Sequence, residues 1–149
     1  MIHPKTLAQI YSRLDKLTPD TAGLWGRMSA KQMLGHLIDA IRMSLGEIKV
    51  KSRYKFPNYW MFLFAVYVLP VSLWKKELPT PKEINQLKIK GDPKLFEERV
   101  KEFKEIIERF NACDASLIQE HPWFGRLTKR ETKDLLVKHI DHHFRQFGL

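Results

Sequence analysis

The sequence predicts an all-α protein, a four-helix bundle with one long crossover between its second and third helices. Apolar residues recur at helical spacing in four segments, at about residues 5–17, 29–45, 93–118 and 128–147. Short loops join the first two segments and the last two, whereas a long stretch separates the second from the third. A chain of 149 residues is long enough for one substantial core, so we expect a single domain over residues 1–149.

The first two helices have clear boundaries in the sequence. Thr18-Pro19-Asp20 is expected to end the first helix, because proline restricts its predecessor and has no backbone N–H to donate. Ser29 and Gln32 form a capping box at the start of the second helix, which is expected to end before Gly46. The predicted inner face of that helix consists of Met33, Leu34, Leu37, Ala40, Ile41 and Leu45.

The crossover contains an apolar run without a charged residue, from Phe56 to Trp74. Its length is near the lower limit for a membrane-spanning helix, but Pro57 and Pro70 interrupt it. We therefore expect a buried helix or an association surface. Peripheral contact with an anionic membrane is the alternative, because the basic segment at residues 49–55 precedes the run. Residues 78–91 are expected to be extended and irregular.

The last two helices also carry boundary signals. Asp92 and Pro93 predict the start of the third helix, as its N-cap and first helical residue. Cys113 falls in this helix and is interpreted as a small core residue. Thr128 and Glu131 form a capping box at the start of the fourth helix.

Two histidines in the fourth helix carry the strongest chemical signal. His139 and His143 are four residues apart, so their Cβ atoms lie about 5–6 Å apart on one helix face, close enough to share a metal ion. On a helical wheel both lie at the edge of the apolar face, whereas His142 falls among charged residues. His36 lies at the edge of the second helix's apolar face and can meet the pair across a bundle. Ordinary boundary histidines are the alternative interpretation.

The composition limits the classes of function. The net charge of +9 favours an anionic partner. Zinc-finger spacing, an RNA-recognition signature and a helix with one basic face are all missing from the sequence, so nucleic-acid binding is not expected. A nucleotide-binding glycine loop and a G-x-S-x-G motif are also missing. The single cysteine and the lack of a secretory signal predict a cytoplasmic protein.

Several separated motifs resemble the DinB/YfiT-like superfamily. They are WGRMSAKQM at residues 25–33 leading to His36, HPWFG at 121–125, and HIDHH with QFG at 139–148. The resemblance implies an up-down-down-up four-helix bundle, often a homodimer, with a divalent metal, zinc or nickel. It also implies that His36, His139 and His143 are the metal ligands. Characterised members of that superfamily include thiol transferases and mycothiol-dependent isomerases, which activate a low-molecular-weight thiol at the metal.

The leading hypothesis is a divalent-metal-dependent enzyme, a thiol-dependent transferase or hydrolase that acts on a small molecule. Three imidazole ligands leave a coordination position open, as in catalytic zinc sites. Gln32 and Gln146 lie about one turn from the histidines and are candidates to orient a substrate. Asp39, Asp141 and His142 are candidates to support the ligands or to relay protons. The alternative is a non-catalytic bundle that binds a small molecule or a partner chain and associates peripherally with anionic membrane.

Overall fold

The predicted all-α class is confirmed in the part of the chain that the computed structural model describes, residues 1–51, 58–78, 80–89 and 92–149. The four long helices are α1 (Pro4–Leu14), α2 (Ala30–Ser44), α4 (Phe96–Ala112) and α5 (Lys129–Gln146). The crossover contains the short helix α3 (Tyr59–Leu63), which continues into a π-helical turn, Phe64–Val68. Short 3₁₀ turns lie at Val71–Leu73, Lys82–Ile84, Gln86–Lys88 and Ala115–Leu117.

Both predicted capping boxes are present. The Ser29 hydroxyl accepts from the Gln32 backbone N–H at 3.2 Å, and the Gln32 side chain accepts from the Ser29 N–H at 3.0 Å. Thr128 and Glu131 make the same pair of bonds at 3.2 and 2.8 Å. These bonds satisfy N–H groups that the first helical turn leaves without a backbone partner, so they fix where α2 and α5 begin.

Two predicted boundaries are wrong at residues whose side chains are used elsewhere. α4 begins at Phe96 and not at Asp92-Pro93, because the Asp92 carboxylate accepts from the Lys94 N–H and from the Arg99 guanidinium. α4 also ends at Ala112 and not near residue 118, because Asp114 caps a separate turn through the Ser116 N–H.

The first helix also ends earlier than predicted, at Leu14. The backbone N–H groups of Lys16 and Leu17 bond to carbonyl groups three residues back, at Arg13 and Leu14. The last turn before Thr18-Pro19-Asp20 is therefore tighter than an α-helix, a common way for a helix to end.

α2 lies at the centre of the packing, against α4 and α5, and α1 packs against α5. Its predicted inner face is buried, except that Leu45 is half-buried. Cys113 packs against this core, as predicted. The largest fully buried side chains are Phe62, Phe103, Phe110, Phe144, Leu14, Met33, Leu34, Leu37, Ile38, Ile41, Ile107 and Ile140.

The apolar run is buried on one side only. Phe62 and Val66 are buried in a second, smaller cluster with Phe124, Leu127 and Leu135, whereas other large side chains of the run are exposed. Among the described helices, none combines the length and apolar character that crossing a membrane requires. Residues 52–57, which include part of the basic segment and the first two residues of the run, lie outside the described residues.

The connection at residues 78–91 contains two 3₁₀ turns rather than only extended chain. Both turns pack against α2, and each buries one side chain, Ile84 and Gln86. Residues 79, 90 and 91 of this connection lie outside the described part of the chain. The crossover therefore contributes buried groups beside the helix that carries His36.

Two phenylalanine substitutions test where the core lies. Phe103→Ala is expected to lower the free energy of unfolding by about 3–5 kcal/mol, because Phe103 is fully buried in the main cluster. Phe64→Ala, a matched control at a side chain that is 53% exposed, is expected to change it by less than about 0.5 kcal/mol. Urea denaturation followed by circular dichroism measures both. Equal losses in the two variants would contradict this placement of the core.

Candidate metal centre

Three histidines from two helices converge on one point. The Nε2 atom of His139 lies 3.2 Å from His36 Nε2 and 3.0 Å from His143 Nε2. The candidate ligand nitrogens of the three rings lie within 4.8 Å of one another, so the group can hold a metal ion. The i, i+4 spacing on α5 brings two of the rings together, and the packing of α2 against α5 adds the third.

Gln146 fixes the tautomer of His143. The Gln146 amide Nε2 donates to the Trp25 carbonyl oxygen at 2.8 Å, and a carbonyl can only accept, so Gln146 Oε1 faces His143 Nδ1 at 2.8 Å. An amide oxygen can also only accept, so Nδ1 carries the proton. His143 Nε2 is therefore left with a lone pair directed at the cluster.

The crossover performs the same task for His36. The Ile84 backbone makes a hydrogen bond with the His36 ring that favours the protonated form, as expected when a ring N–H donates to a carbonyl. Since His36 Nε2 faces His139, Nδ1 is the ring nitrogen available for this bond. His36 Nε2 thus directs a second lone pair at the cluster.

The low pKa values of the three rings have a common cause. Burial lowers the pKa of His36 to about 4 and that of His143 to about 3, because the charged imidazolium loses its hydration. Burial and the neighbouring rings together hold the pKa of His139 well below its usual range. All three imidazoles are neutral at pH 7, which is the form that binds metals.

Hydrogen bonding alone cannot satisfy this cluster. His139 Nε2 lies between two lone-pair nitrogens and carries at most one proton, so one of its two short contacts lacks a proton to share. A cation among the three nitrogens would bind every lone pair. Tetrahedral zinc with Zn–N bonds of about 2.0–2.1 Å separates its ligand nitrogens by roughly 3.3–3.4 Å, which is close to the two distances from His139 but shorter than the 4.8 Å that encloses all three nitrogens.

The loop before α2 packs on the end of α5 through a glycine. Gly26 has a φ of +78°, and a Cβ at this position would lie 2.5 Å from Gln146 Nε2. The Leu24 N–H donates to the Gln146 carbonyl at 2.6 Å, so backbone and side chain of Gln146 both hold this loop. Part of the WGRMSAKQM motif thus positions the residue that orients His143.

Gln32 and Asp39 flank His36 on α2 but contact Gln86, not the rings. The Gln32 amide donates to the Gln86 backbone oxygen at 3.3 Å, and the Gln86 amide donates to the Asp39 carboxylate. Burial raises the pKa of Asp39. A Cβ at Gly35 would lie 2.8 Å from the Gln86 side chain, so glycine lets the crossover approach α2 closely.

His142 lies next to the cluster without joining it. Its ring packs against the rings of Trp25 and Trp74, each with centroids 5.9 Å apart, and 5.2 Å from the His143 ring. Lys76 Nζ lies 4.3 Å above the Trp25 ring. His142, which the helical wheel placed among charged residues, is thus a half-buried ring that contacts two tryptophans.

Asp141, the remaining sequence candidate, and His121 of the HPWFG motif both have structural roles. Asp141 accepts from Arg13 at 2.6 Å and from Arg145 at 2.9 Å, which joins α1 to α5. His121 Nδ1 accepts from the backbone N–H groups of Trp123 and Phe124 at 3.2 and 3.3 Å, so this histidine braces its own loop.

Sequence reasoning missed Ile84, Gln86 and the carbonyl of Trp25. They come from loops and 3₁₀ turns, whose residues follow no apolar period. The one available sequence signal was Gly35, because a glycine within the apolar face of a helix indicates that another segment approaches closely.

The structure defines an all-α protein with a cluster of three histidines, from α2 and α5, that can hold a metal ion. The chain belongs to the family described as a protein of unknown function, DUF1569, whose model matches residues 3–148. No curated protein and no solved structure matches the chain.

Alanine at Gly26 and at Gly148 tests the link between the loop and Gln146. Both glycines have a positive φ, which costs about 1–2 kcal/mol for other residues. A Cβ at Gly148 meets only Leu24 Cδ1 at 3.8 Å, whereas at Gly26 it collides with Gln146. We expect Gly26→Ala to lower the free energy of unfolding more than Gly148→Ala and to shift the His143 ring signals in NMR. Equal losses without a shift would contradict the link.

The stability of the metal-free protein is expected to fall as the pH drops below about 6.5. The pKa values of His36 and His143 are lower in the folded chain than in the unfolded chain, so the unfolded chain takes up protons first. The contribution of these two rings to the free energy of unfolding is complete above pH 6.5. Below that pH it falls by about 1.4 kcal/mol per pH unit for each ring toward pH 4.

Urea denaturation at a series of pH values in the presence of a chelator measures this dependence. His36→Gln and His143→Gln should each flatten the slope between about pH 6.5 and 4.5. Leu73→Gln, at an exposed side chain without a titratable group, is the control and should leave the slope unchanged. An unchanged slope in the first two variants would contradict the assignment.

Proposed function

We propose that the chain is a divalent-metal-dependent enzyme of the DinB-like kind, with His36, His139 and His143 as the metal ligands. The convergence of three Nε2 atoms carries this proposal. Two of the rings are held as the tautomers that leave Nε2 unprotonated, and all three have lowered pKa values. A merely structural histidine cluster has no need for lone pairs that face one another.

The proposal includes an up-down-down-up bundle built from α1, α2, α4 and α5. The packing of α2 against both α4 and α5, and of α1 against α5, supports it. The long connection between α2 and α4 supports it too, because parallel neighbouring helices require a crossover. In such a bundle, side chains of facing helices are the usual source of metal ligands.

Zinc or nickel is the metal that we propose. Neutral imidazole suits both ions, and a set of three protein ligands leaves a position for water or substrate. Hydrogen bonds from the far ring nitrogens to Gln146 and to the Ile84 backbone are the kind that orient metal-binding histidines. When bound, such an ion would supply a Lewis acid that lowers the pKa of a water or thiol.

The thiol in the proposed reaction would come from a small-molecule substrate. Cys113 is the chain's only cysteine, and its Sγ bonds to the Phe110 carbonyl at the end of α4. The thiol of Cys113 therefore already donates a hydrogen bond to the backbone where α4 ends. We propose a thiol-dependent transferase in which a low-molecular-weight thiol is the nucleophile that displaces the leaving group of an electrophile, or a hydrolase in which water takes that role.

The residues around His142 would bind and orient the substrate. The rings of Trp25 and Trp74 both pack against His142, and the exposed Lys76 adds a positive charge above Trp25. A substrate with a carboxylate would pair with Lys76 and lie beside the ligands. His142 would take or give a proton at its ring nitrogen, next to His143.

Metal analysis of protein purified without a histidine tag tests the proposal. After refilling with zinc or nickel, we expect about one ion per chain in the wild-type protein. His139→Ala and His36→Ala should each lose it, because two imidazoles hold such ions far more weakly than three. His3→Ala, at an exposed histidine, is the control and should keep it.

A wild-type protein that takes up neither metal would contradict the proposal. A His139→Ala/His143→Ala double variant that keeps both its stability and its small-molecule binding would favour the alternative, a non-catalytic binding bundle. Metal uptake without thiol consumption across a panel of electrophiles would keep the metal site and remove the thiol chemistry.

A further inference from the structure

A row of large apolar side chains stands exposed on the crossover. Trp60 is 80% exposed, Phe64 53% and Val68 67%. These residues are four apart, so they follow one side of the helical segment, while Phe62 and Val66 on the opposite side are buried. Tyr67 and Leu73 extend the exposed surface, which we name the crossover face and define as Trp60, Phe64, Tyr67, Val68 and Leu73.

The crossover face is fixed in its exposed position by polar contacts. The Tyr59 hydroxyl donates to Glu131, and the Tyr67 hydroxyl donates to Asp134 at 3.0 Å. Lys138 Nζ donates to the Leu69 carbonyl at 3.0 Å. These bonds tie both ends of the segment to α5, so the apolar row cannot turn inward without breaking them.

The sequence on both sides of the crossover face carries only basic charges. Between Glu47 and Glu77 the sequence contains basic residues and no acidic residue; the basic residues are Lys49, Lys51, Arg53, Lys55, Lys75 and Lys76. Lys49, Lys51, Lys75 and Lys76 are exposed. Glu131 and Asp134, which contact the segment, are bonded to its tyrosine hydroxyls from the α5 side. A partner for this face must therefore bury apolar side chains and carry negative charge.

We propose that the crossover face binds the surface of an anionic lipid membrane. Trp60, Phe64 and Val68 would insert between the headgroups, and the flanking lysines would pair with anionic lipids. Tryptophan and tyrosine favour this boundary because their rings combine an apolar body with a polar group. The binding is peripheral and independent of the metal site.

A second copy of the chain fits this face less well than a membrane does. A two-fold interface places the same patch on both subunits, so it would bring both sets of lysines together with no acidic partner in the segment. Like charges in one interface oppose association. An anionic bilayer supplies the opposite charge over the same area.

Flotation of the untagged protein with vesicles tests the proposal. We expect binding to mixed phosphatidylcholine and phosphatidylserine vesicles, little binding to phosphatidylcholine alone, and loss of binding as salt rises from about 0.1 M to 1 M. Trp60→Ser/Phe64→Ser should reduce the partition coefficient at least about tenfold. Leu24→Ser/Leu95→Ser removes two similarly exposed apolar residues elsewhere and is the control, which should bind as the wild type does.

A pair of charge variants separates lipid attraction from net charge. Lys51→Glu/Lys75→Glu should weaken binding by about 25-fold or more, at about fivefold for each lysine lost near the surface. Lys16→Glu/Lys101→Glu changes the net charge equally at exposed lysines of other segments and should weaken it far less.

Failure of the wild-type protein to float with anionic vesicles would overturn the proposal. So would equal binding to both vesicle types without salt dependence. Sedimentation velocity provides a further decision: if Trp60→Ser/Phe64→Ser converts a dimer to a monomer and no vesicle binding exists, the crossover face is an interface between copies. All of these variants act at exposed side chains, so circular dichroism should report an unchanged fold.

Discussion

The site depends first on the double role of Gln146. The Gln146 amide N–H donates to the Trp25 carbonyl, so the Gln146 amide oxygen faces His143. This oxygen fixes the tautomer of the His143 ring. One side chain thus connects the loop before α2, the end of α5 and the chemistry of the cluster. Gly26 permits the loop to come this close, because any Cβ would collide with the amide. Without this contact, His143 could turn its protonated nitrogen toward the cluster and lose its lone pair there.

The crossover completes the arrangement from the other side. Its 3₁₀ turns bring Ile84 to the His36 ring, and bring Gln86 over Gly35 to the Asp39 carboxylate. Trp74 connects the crossover helix to His142. Its ring packs on His142, and its indole N–H donates to the Ala65 carbonyl within the π-helical turn. The segment that presents the crossover face is therefore in direct contact with the surroundings of the cluster.

The helices were largely predictable, because apolar period and capping residues are local signals. Ser29 and Thr128 mark the starts of α2 and α5 correctly, and the spacing of His139 and His143 marks the shared face. The predicted start of α4 at Asp92 was wrong because the Asp92 carboxylate binds Arg99, and the position of Arg99 depends on the folded α4. The partners of His36 could not be predicted, since they come from irregular chain that follows no pattern. Gln146 was identifiable from the sequence because it follows His143 by about one helical turn. Its role in fixing the His143 tautomer was not, because that role depends on the contact with the Trp25 carbonyl.

The central proposal is that the Nε2 atoms of His36, His139 and His143 face a common point in order to bind a metal ion, with those of His36 and His143 unprotonated. A crystal structure of the zinc-loaded protein, with diffraction data collected on both sides of the zinc absorption edge, measures this most directly. We expect one anomalous peak within about 2.0–2.1 Å of the Nε2 atoms of His36, His139 and His143. A cluster without a peak, or a peak bound by other side chains, would contradict it.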